Sequence, residues 1–503
     1  MSIRLRPVHA LLIIMLVALL LRLILVANGG QRYFPDEFRY SKYAAVIADS
    51  VFNGDVSGFA SLFEYRTHPG AAAATFIPAL LHRLVYELTA SNDVSWEDYW
   101  RDPTSDFRFS AIFFAIPSVL SIGLIYYIAR RAGADDLEGL IAAFLLAASN
   151  TWFIWSRHFL TYDISMLLAL TALFIALRPR ERDVRGGILT GLFLFCAFWV
   201  YTNHVFLVCA IAFLYCLILA SNPRVVMTRL LYVLIGVLIP MLPILIYNYS
   251  VVNIDVIEGM LSQVEGITQG MYEEGAVLPF IYLLETEGLI SLVWILGLML
   301  ASREALSRRP NRRDRIMLWL TALLILYGLM ALLSTGLHVI VLFGRTIRTL
   351  VPFIVLICAY GFAPYAKLLG SKLRFLLISA LAVLALMNFA TAANVQYYTV
   401  LVREISDEYG TISFSSQFVP PSWHHGFPNP VHEDARYELL NAAYFYPITE
   451  MTDLPDGEVI MKVAHPYNYK PWQYEGMTPE MRDIINRDGL YIWLIDKGPS
   501  VEE

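Results

Sequence analysis

Two adjacent carboxylates are the first residues in this chain able to do chemistry: Asp36 and Glu37, in Phe34-Pro35-Asp36-Glu37-Phe38-Arg39-Tyr40. They lie ten residues past Val26, the end of a nearly unbroken Leu, Ile, Val, Met and Ala run that begins at Val8. At a membrane-water boundary such a pair can hold a divalent cation or serve as a general base, because partial desolvation raises carboxylate basicity. The same residues also suit an ordinary helix start, with Pro35 and two acids in the first turn.

Four other groups of residues stand at comparable boundaries. The turn Ser156-Arg157-His158-Phe159-Leu160-Thr161-Tyr162-Asp163 separates two apolar runs, and Asp163 is either a helix N-cap or a second acid on the side of Asp36. Arg157 and His158 share that turn. Arg345 and Arg348 are spaced i, i+3 on one helix face, a fork suited to the phosphate of a lipid carrier or to snorkelling toward headgroups. His68 precedes Pro69, a residue suited to a first helical position, and serves as a hydrogen-bonding loop residue or a site residue. Arg22, inside the first apolar run, needs either a partner or a short path to the interface. Trp423-His424-His425-Gly426 with His432, Glu433 and Asp434 holds metal-ligand residue types, but the spacing fits no zinc pattern and reads as a polar loop.

These residues hang on a strongly apolar frame. With 57% hydrophobic and 16% charged residues over 503 positions, the composition excludes an ordinary soluble enzyme and predicts a polytopic α-helical membrane protein. Spans are predicted near 8–26, 108–129, 138–156, 163–177, 186–202, 204–220, 229–249, 288–302, 316–335, 349–366 and 373–393, eleven in all. Between residues 28 and 107 lies a large first loop with helical stretches at 37–50 and 69–88. Alternate loops are rich in arginine, as in Arg308, Arg309, Arg312, Arg313 and Arg315, whereas Val251–Glu287 carries seven acids and no Lys or Arg. That asymmetry predicts a cytoplasmic amino terminus and places Asp36, Glu37, Asp163 and the tail on the extracytoplasmic side of a cell membrane. Residues 1–393 form the membrane module; residues 394–503 read as a small extracytoplasmic α/β domain, with helices near 433–443 and 479–486 and strands near 459–463 and 491–495. The net charge of −6 carries no basic patch interleaved with aromatics, so no nucleic-acid partner is expected. The four cysteines all fall inside apolar runs, as small core residues do.

The acidic pair after the first span, the His68-Pro69 step about thirty residues later, and Arg157 followed by Asp163 at the mouth of the third and fourth spans resemble one family. They are similar to membrane glycosyltransferases of the C superfamily, in particular glycosyltransferase family 39, which holds protein O-mannosyltransferases and lipid A aminoarabinose transferases. The resemblance covers residues 8 to 393. It implies transfer of a sugar from a polyprenyl-phosphate carrier to a hydroxyl on a lipid, glycan or protein acceptor at the outer face. It makes Asp36 the general base, Glu37 its assistant and Asp163 the second acid, with room for a divalent cation, Mg or Mn, on these three as in some relatives. Arg345 and Arg348, ahead of Pro352, would hold the carrier phosphate. The chain departs from the family's His-Pro-Pro or Lys-Pro-Pro in reading His68-Pro69-Gly70. A transporter or flippase of lipid-linked solutes is the other class considered, but transporters place ionisable groups near mid-membrane and show internal repeats, and neither feature is seen. A noncatalytic assembly partner leaves Asp36, Glu37 and Asp163 without a use.

Overall fold

In hydrocarbon every backbone N–H and C=O has to be satisfied within the chain, and the helix does this locally. The computed structural model describes residues 6–27, 35–65, 70–89, 95–101, 107–153, 156, 159–178, 183–259, 276–306, 310–337, 342 and 344–395, together with strands at 412–414, 437–441, 458–463 and 490–496. Its helices are α1 (Pro7–Ala27), α2 (Pro35–Phe52), α3 (Ala71–Thr89), α4 (Trp96–Arg101), α5 (Arg108–Arg131), α6 (Asp136–Ala147), α7 (Asn150–Phe153), α8 (Tyr162–Ala176) and α9 (Val184–Val200). They continue with α10 (Val205–Phe213), α11 (Pro223–Tyr247), α12 (Leu278–Glu287), α13 (Leu289–Ala305), α14 (Pro310–Ala331), α15 (Gly344–Ile347), α16 (Val351–Leu368) and α17 (Ser371–Val395).

The protein is a multi-pass membrane protein; the expected count of eleven spans is not confirmed among the described residues. Six stretches among the described residues are long and apolar enough to cross a bilayer: Pro7–Ala27, Arg108–Arg131, Pro223–Val252, Asn311–Gly336, Gly344–Leu368 and Lys372–Ala390. A seventh is formed if Leu278–Leu284 and Leu289–Ala305, bent by 118°, count as one broken span. Gly288 makes the bend at φ +53°, a left-handed conformation that suits glycine. The other four expected spans correspond to shorter helices: α6 has 12 residues, α8 has 15, α9 has 17, and the span expected at 204–220 is the short apolar stretch Thr202–Ile218 that contains α10. At 1.5 Å per residue none reaches the ~30 Å of the hydrocarbon core. Their hydropathy resembles that of full spans because they are buried among other helices, and burial in protein selects the same residues as lipid does.

The centre of the bundle is α16, in which Val351 through Gly361 are all buried. It packs on α6, α13 and α14, while α5 joins α1, α6 and α8, and α9 bridges α8 to α11. The periphery faces lipid: Met227, Leu230, Leu231, Leu234, Ile239, Leu242 and Ile246 of α11 are exposed. Since lipid tails solvate Leu as well as protein does, packing and polar contacts must decide which helices meet.

One set of polar contacts gathers at the arginine-rich end. Asp135 caps α6 in a reciprocal capping box with Glu138 and accepts an ion-pair hydrogen bond from Lys367 of α16. Glu138, buried, pairs with Arg312 of α14, whose other nitrogen lies 3.5 Å from Glu304 of α13. At the opposite end α2 and α3 pack together. Thr75 donates to the Tyr40 carbonyl at 3.1 Å, and Arg83 binds Asp49 at 2.7 Å and also Glu87. The two loop helices expected near 37–50 and 69–88 are thus α2 and α3. Gly70 explains the departure from His-Pro-Pro: its φ is +75°, and a Cβ would fall 2.3 Å from Trp199 Cδ1. Proline, locked near φ −65°, cannot stand there.

In the tail the described strands are β1 (Ile412–Phe414), β2 (Tyr437–Asn441), β3 (Glu458–Val463) and β4 (Leu490–Asp496), in the order β1-β2-β4-β3. The β3 and β4 strands match the sequence expectation. The helix expected near 433–443 is instead β2, antiparallel to β4 from Tyr437↔Asp496 to Asn441↔Ile492. Pairing along its whole length overrides the few tenths of a kcal/mol by which Glu and Leu favour helix. The helix expected near 479–486 lies outside the described residues.

Partial burial works to raise the Asp135 carboxyl. The hydrogen bond from Lys367, the Glu138 N–H, the Lys367 charge and the Leu137 N–H outweigh it and hold the group below its ordinary value. A depressed folded-state pKa contributes stability above the unfolded value and loses it as pH falls through the folded one. Asp135→Ala is therefore expected to cost about 0.5–2 kcal/mol at pH 7. In thermal melts of the detergent-purified protein, the gap from wild type should close as pH drops below about 4.

Candidate active site

Helix α8 begins where the turn after α7 ends, with Thr161 in the cap position and Asp163 in the first turn. Asp163 is therefore not the N-cap. Its carboxylate, 2% exposed, accepts a charge-assisted hydrogen bond through Oδ1 from Nη2 of Arg348, which is fully buried. Arg348 comes from the turn Arg348–Leu350 between α15 and α16, with Pro352 in the first turn of the helix that follows. Its guanidinium lies 4.8 Å from the ring centre of Trp152, a cation-π contact that helps keep the cation in an apolar site. Oδ2 of Asp163 and both Nε and Nη1 of Arg348 are buried and find no hydrogen-bond partner among the described residues. Buried groups of this kind are costly unless something completes them.

Arg345, half-buried, lies with its guanidinium 5.8 Å from the Tyr162 ring. The two arginines thus converge on adjacent residues of α8, one on Tyr162 and one on Asp163. Tyr162 belongs to a buried ring cluster, 5.9 Å from Tyr40 and 4.5 Å from Tyr201. Tyr201 meets the His204 ring at 4.8 Å, and His204 Nδ1 is 2.7 Å from the Ser165 hydroxyl, one turn into α8. Tyr40 brings α2 to this place. Asp36 and Glu37 occupy the first turn of α2, behind Pro35, and Asp36 precedes Tyr40 by one helical turn. The helix start expected of the pair is observed; the side chains of Asp36 and Glu37 lie outside the described residues.

His68 lies outside the described residues, as do Arg157, His158 and the His424, His425, His432, Glu433 and Asp434 group of the tail. The turn that carries Arg157 and His158 is anchored on both sides. Ser156 donates to the Phe153 carbonyl at 2.6 Å, and Phe159 is buried against Phe107, Phe114 and Trp100. Arg22 takes the partnered option. It donates to Ser118 Oγ at 2.9 Å, the Ala18 carbonyl at 3.0 Å and the Trp152 carbonyl at 3.2 Å, and stacks 4.4 Å from Phe153. Among the described residues no three His, Cys, Asp or Glu side chains gather as a metal would need. Asp163 Oδ2 is the one carboxylate oxygen of that residue without a partner among the described residues.

Tyr40, Tyr162, Trp152 and His204 were not singled out from the sequence. The spacing of Tyr40 four residues after Asp36 was the available signal for the first; a buried histidine or tryptophan in an apolar run gives none.

Residues 106–247, from the start of α5 to the end of α11, match the sequence profile of the dolichyl-phosphate-mannose-protein mannosyltransferase family. This segment is similar to that family. It contains Asp163 and lies between Asp36 on one side and the two arginines on the other. No curated protein sequence matches the chain. Among solved structures, the oligosaccharyltransferase AglB of Archaeoglobus fulgidus in complex with an inhibitory peptide and a dolichol-phosphate is similar at a TM-score of 0.41 and 12% identity. That likeness covers 78% of this chain and 56% of AglB, so the chain spans little more than half of that protein. ArnT of Cupriavidus metallidurans in the apo state is similar at a TM-score of 0.46 and 11% identity, covering 97% of this chain and 99% of ArnT. ArnT bound to undecaprenyl phosphate gives 0.44, 11%, 96% and 97%.

Removing one partner of a buried ion pair leaves an uncompensated charge and costs about 3–5 kcal/mol, whereas neutral replacement of both partners costs far less. Arg348→Ala is accordingly expected to lower the melting temperature of the purified protein more than the double variant Asp163→Asn, Arg348→Gln. A larger loss in the double variant would show that the pair itself does not hold the site.

Proposed function

We propose that this chain is an integral-membrane glycosyltransferase that moves a sugar from a polyprenyl-phosphate carrier to an acceptor hydroxyl at the outer face of the membrane. The observation that carries the reading is the convergence of Tyr40 of α2, Asp163, Arg345 and Arg348 around Tyr162, within and beside a segment similar to mannosyltransferases that use a lipid-phosphate donor.

The reaction needs two things at once. The acceptor oxygen attacks the anomeric carbon while its proton passes to a base. The bond from that carbon to the phosphate oxygen breaks, and the electron pair leaves with the polyprenyl phosphate. In this reading Asp36 takes the proton, with Glu37 assisting. Arg345 and the open Nε and Nη1 of Arg348 donate to the departing phosphate, where preorganised donors act most strongly in a water-poor site. Asp163 orients Arg348 through its third nitrogen and presents Oδ2 to the sugar or to a cation. His68, Arg157 and His158, expected on the same side from the order of spans in the sequence, would line the entry. A divalent cation, Mg or Mn, would be held by Asp36, Glu37 and Asp163 and would further neutralise the leaving phosphate. The carrier reaches the site from the bilayer, between helices, and the tail of residues 394–503 selects among lipid, glycan and protein acceptors.

The test is donor consumption by protein reconstituted in lipid with a panel of radiolabelled polyprenyl-phosphate sugars. Asp36→Asn should lower turnover by about 10²–10⁴-fold, the usual contribution of a positioned base, with the protein still inserted. Arg345→Ala should weaken donor binding and raise KM. Chelation by EDTA should stop turnover and Mg or Mn should restore it; unchanged turnover in EDTA removes the cation from the reading. If folded wild type consumes no donor, glycosyl transfer is wrong, and a flux assay in vesicles then examines transport of lipid-linked solutes.

A further inference from the structure

Glu287 is a fully buried acid that the proposed chemistry does not use. It ends α12, immediately before the Gly288 bend, in the acid-rich stretch that separates α11 from α13. Its carboxylate accepts three hydrogen bonds from one short segment: Ser149 Oγ at 2.7 Å, the Asn150 N–H at 2.9 Å and the Thr151 N–H at 3.0 Å. The last two are N–H groups in the first turn of α7, which have no partner within the helix and are satisfied by this carboxylate. Asn150 completes the junction by donating to the Thr286 carbonyl at 2.9 Å and to Asn388 Oδ1 of α17 at 3.1 Å. Asn388 in turn donates to the Ala148 carbonyl at 2.9 Å.

The segment so held is the one beneath the candidate site. One residue past Thr151, Trp152 donates its indole N–H to the Ser118 carbonyl at 3.1 Å, and its own carbonyl accepts from Arg22 and Ser118. Its ring supports the guanidinium of Arg348. We infer that Glu287 is a positioning residue for glycosyl transfer: by clamping the start of α7 it sets the Trp152 ring, and through it the orientation of Arg348 toward Asp163 and the donor phosphate. The inference rests on the proposed function for its catalytic consequence and on the hydrogen bonds alone for its structural one. A short segment fixed at its start by one carboxylate and at its end by one guanidinium has no freedom to move the ring without breaking a buried hydrogen bond, a loss that is costly in such a site.

The experiment uses full-length protein with Glu287→Gln, Glu287→Ala, Trp152→Phe and the Glu287→Gln, Trp152→Phe pair. Glutamine keeps one acceptor oxygen but turns a donor toward the Asn150 N–H, so it perturbs the clamp without emptying the site; it also serves if the alanine variant fails to fold. With donor in excess, Glu287→Gln should lower kcat by about 10–100-fold, the scale expected for a misplacement near 1 Å. The pair should be no slower than the slower single variant. Fully additive losses would overturn the route through Trp152. Independently of activity, protein labelled with 5-fluorotryptophan identifies Trp152 by the ¹⁹F resonance lost in Trp152→Phe. That resonance should shift or broaden in Glu287→Gln while those of Trp199 and Trp319, assigned in the same way, stay in place. An unmoved Trp152 resonance overturns the inference. A wild-type protein that consumes no donor while the resonance does move refutes glycosyl transfer and leaves the clamp standing.

Discussion

A charge that is fully buried in a membrane bundle has to be matched by another, and the pairing of Arg348 with Asp163 is the constraint on which the candidate site depends. The pair joins the start of α8 to the turn ahead of α16, the most deeply buried helix of the bundle. Because, among the described residues, the carboxylate is used through one oxygen and the guanidinium through one nitrogen, the pair is neutral overall yet still offers donors and an acceptor. A fully satisfied pair would serve stability alone. In the proposed function the partly open one keeps polarity where a phosphate or a sugar hydroxyl would meet it, at a standing cost in stability that polar groups at functional sites commonly carry.

The surroundings of that pair are built to keep it still. Arg348 rests on Trp152, Trp152 is tied to Ser118 and Arg22, and the segment that carries it is closed by Glu287. Tyr162 and Tyr201 pack edge-on around Tyr40 and bring α2, with its acidic first turn, against α8. At the arginine-rich end a different device operates. Asp135, Glu138, Glu304, Arg312 and Lys367 link α6, α13, α14 and α16 by partly exposed pairs, so that the helices are registered at both ends without a hydrophobic force between them.

Hydropathy and charge are properties of short stretches, and what depends on them was readable in the order of residues. The apolar runs became helices, α2 and α3 appeared in the first loop, β3 and β4 fell where Val459–Val463 and Tyr491–Ile495 predicted them, and Asp163 and Arg348 were recognised as belonging to one side. The span count was less legible, because α6, α8, α9 and Thr202–Ile218 carry the composition of membrane helices in helices that run from 12 to 17 residues, packed among their neighbours. Likewise the residues of β2 favour helix locally and became strand only because β4 was there to pair with.

Sequence alone therefore determined that this is an apolar, multi-pass helical protein with acids and arginines set at helix ends, since each of those statements concerns residues close together in the chain. It did not determine what each charged residue does. Arg348 and Asp163 are 185 positions apart, Glu287 and Asn150 are 137 apart, and Arg22 and Trp152 are 130 apart. In the sequence, phosphate binding and snorkelling were both open to Arg345 and Arg348. Tertiary structure gave Arg348 its ion pair and Arg22 its hydrogen bonds, because the energy of a buried charge depends on which partner the packing of distant helices brings within hydrogen-bond reach.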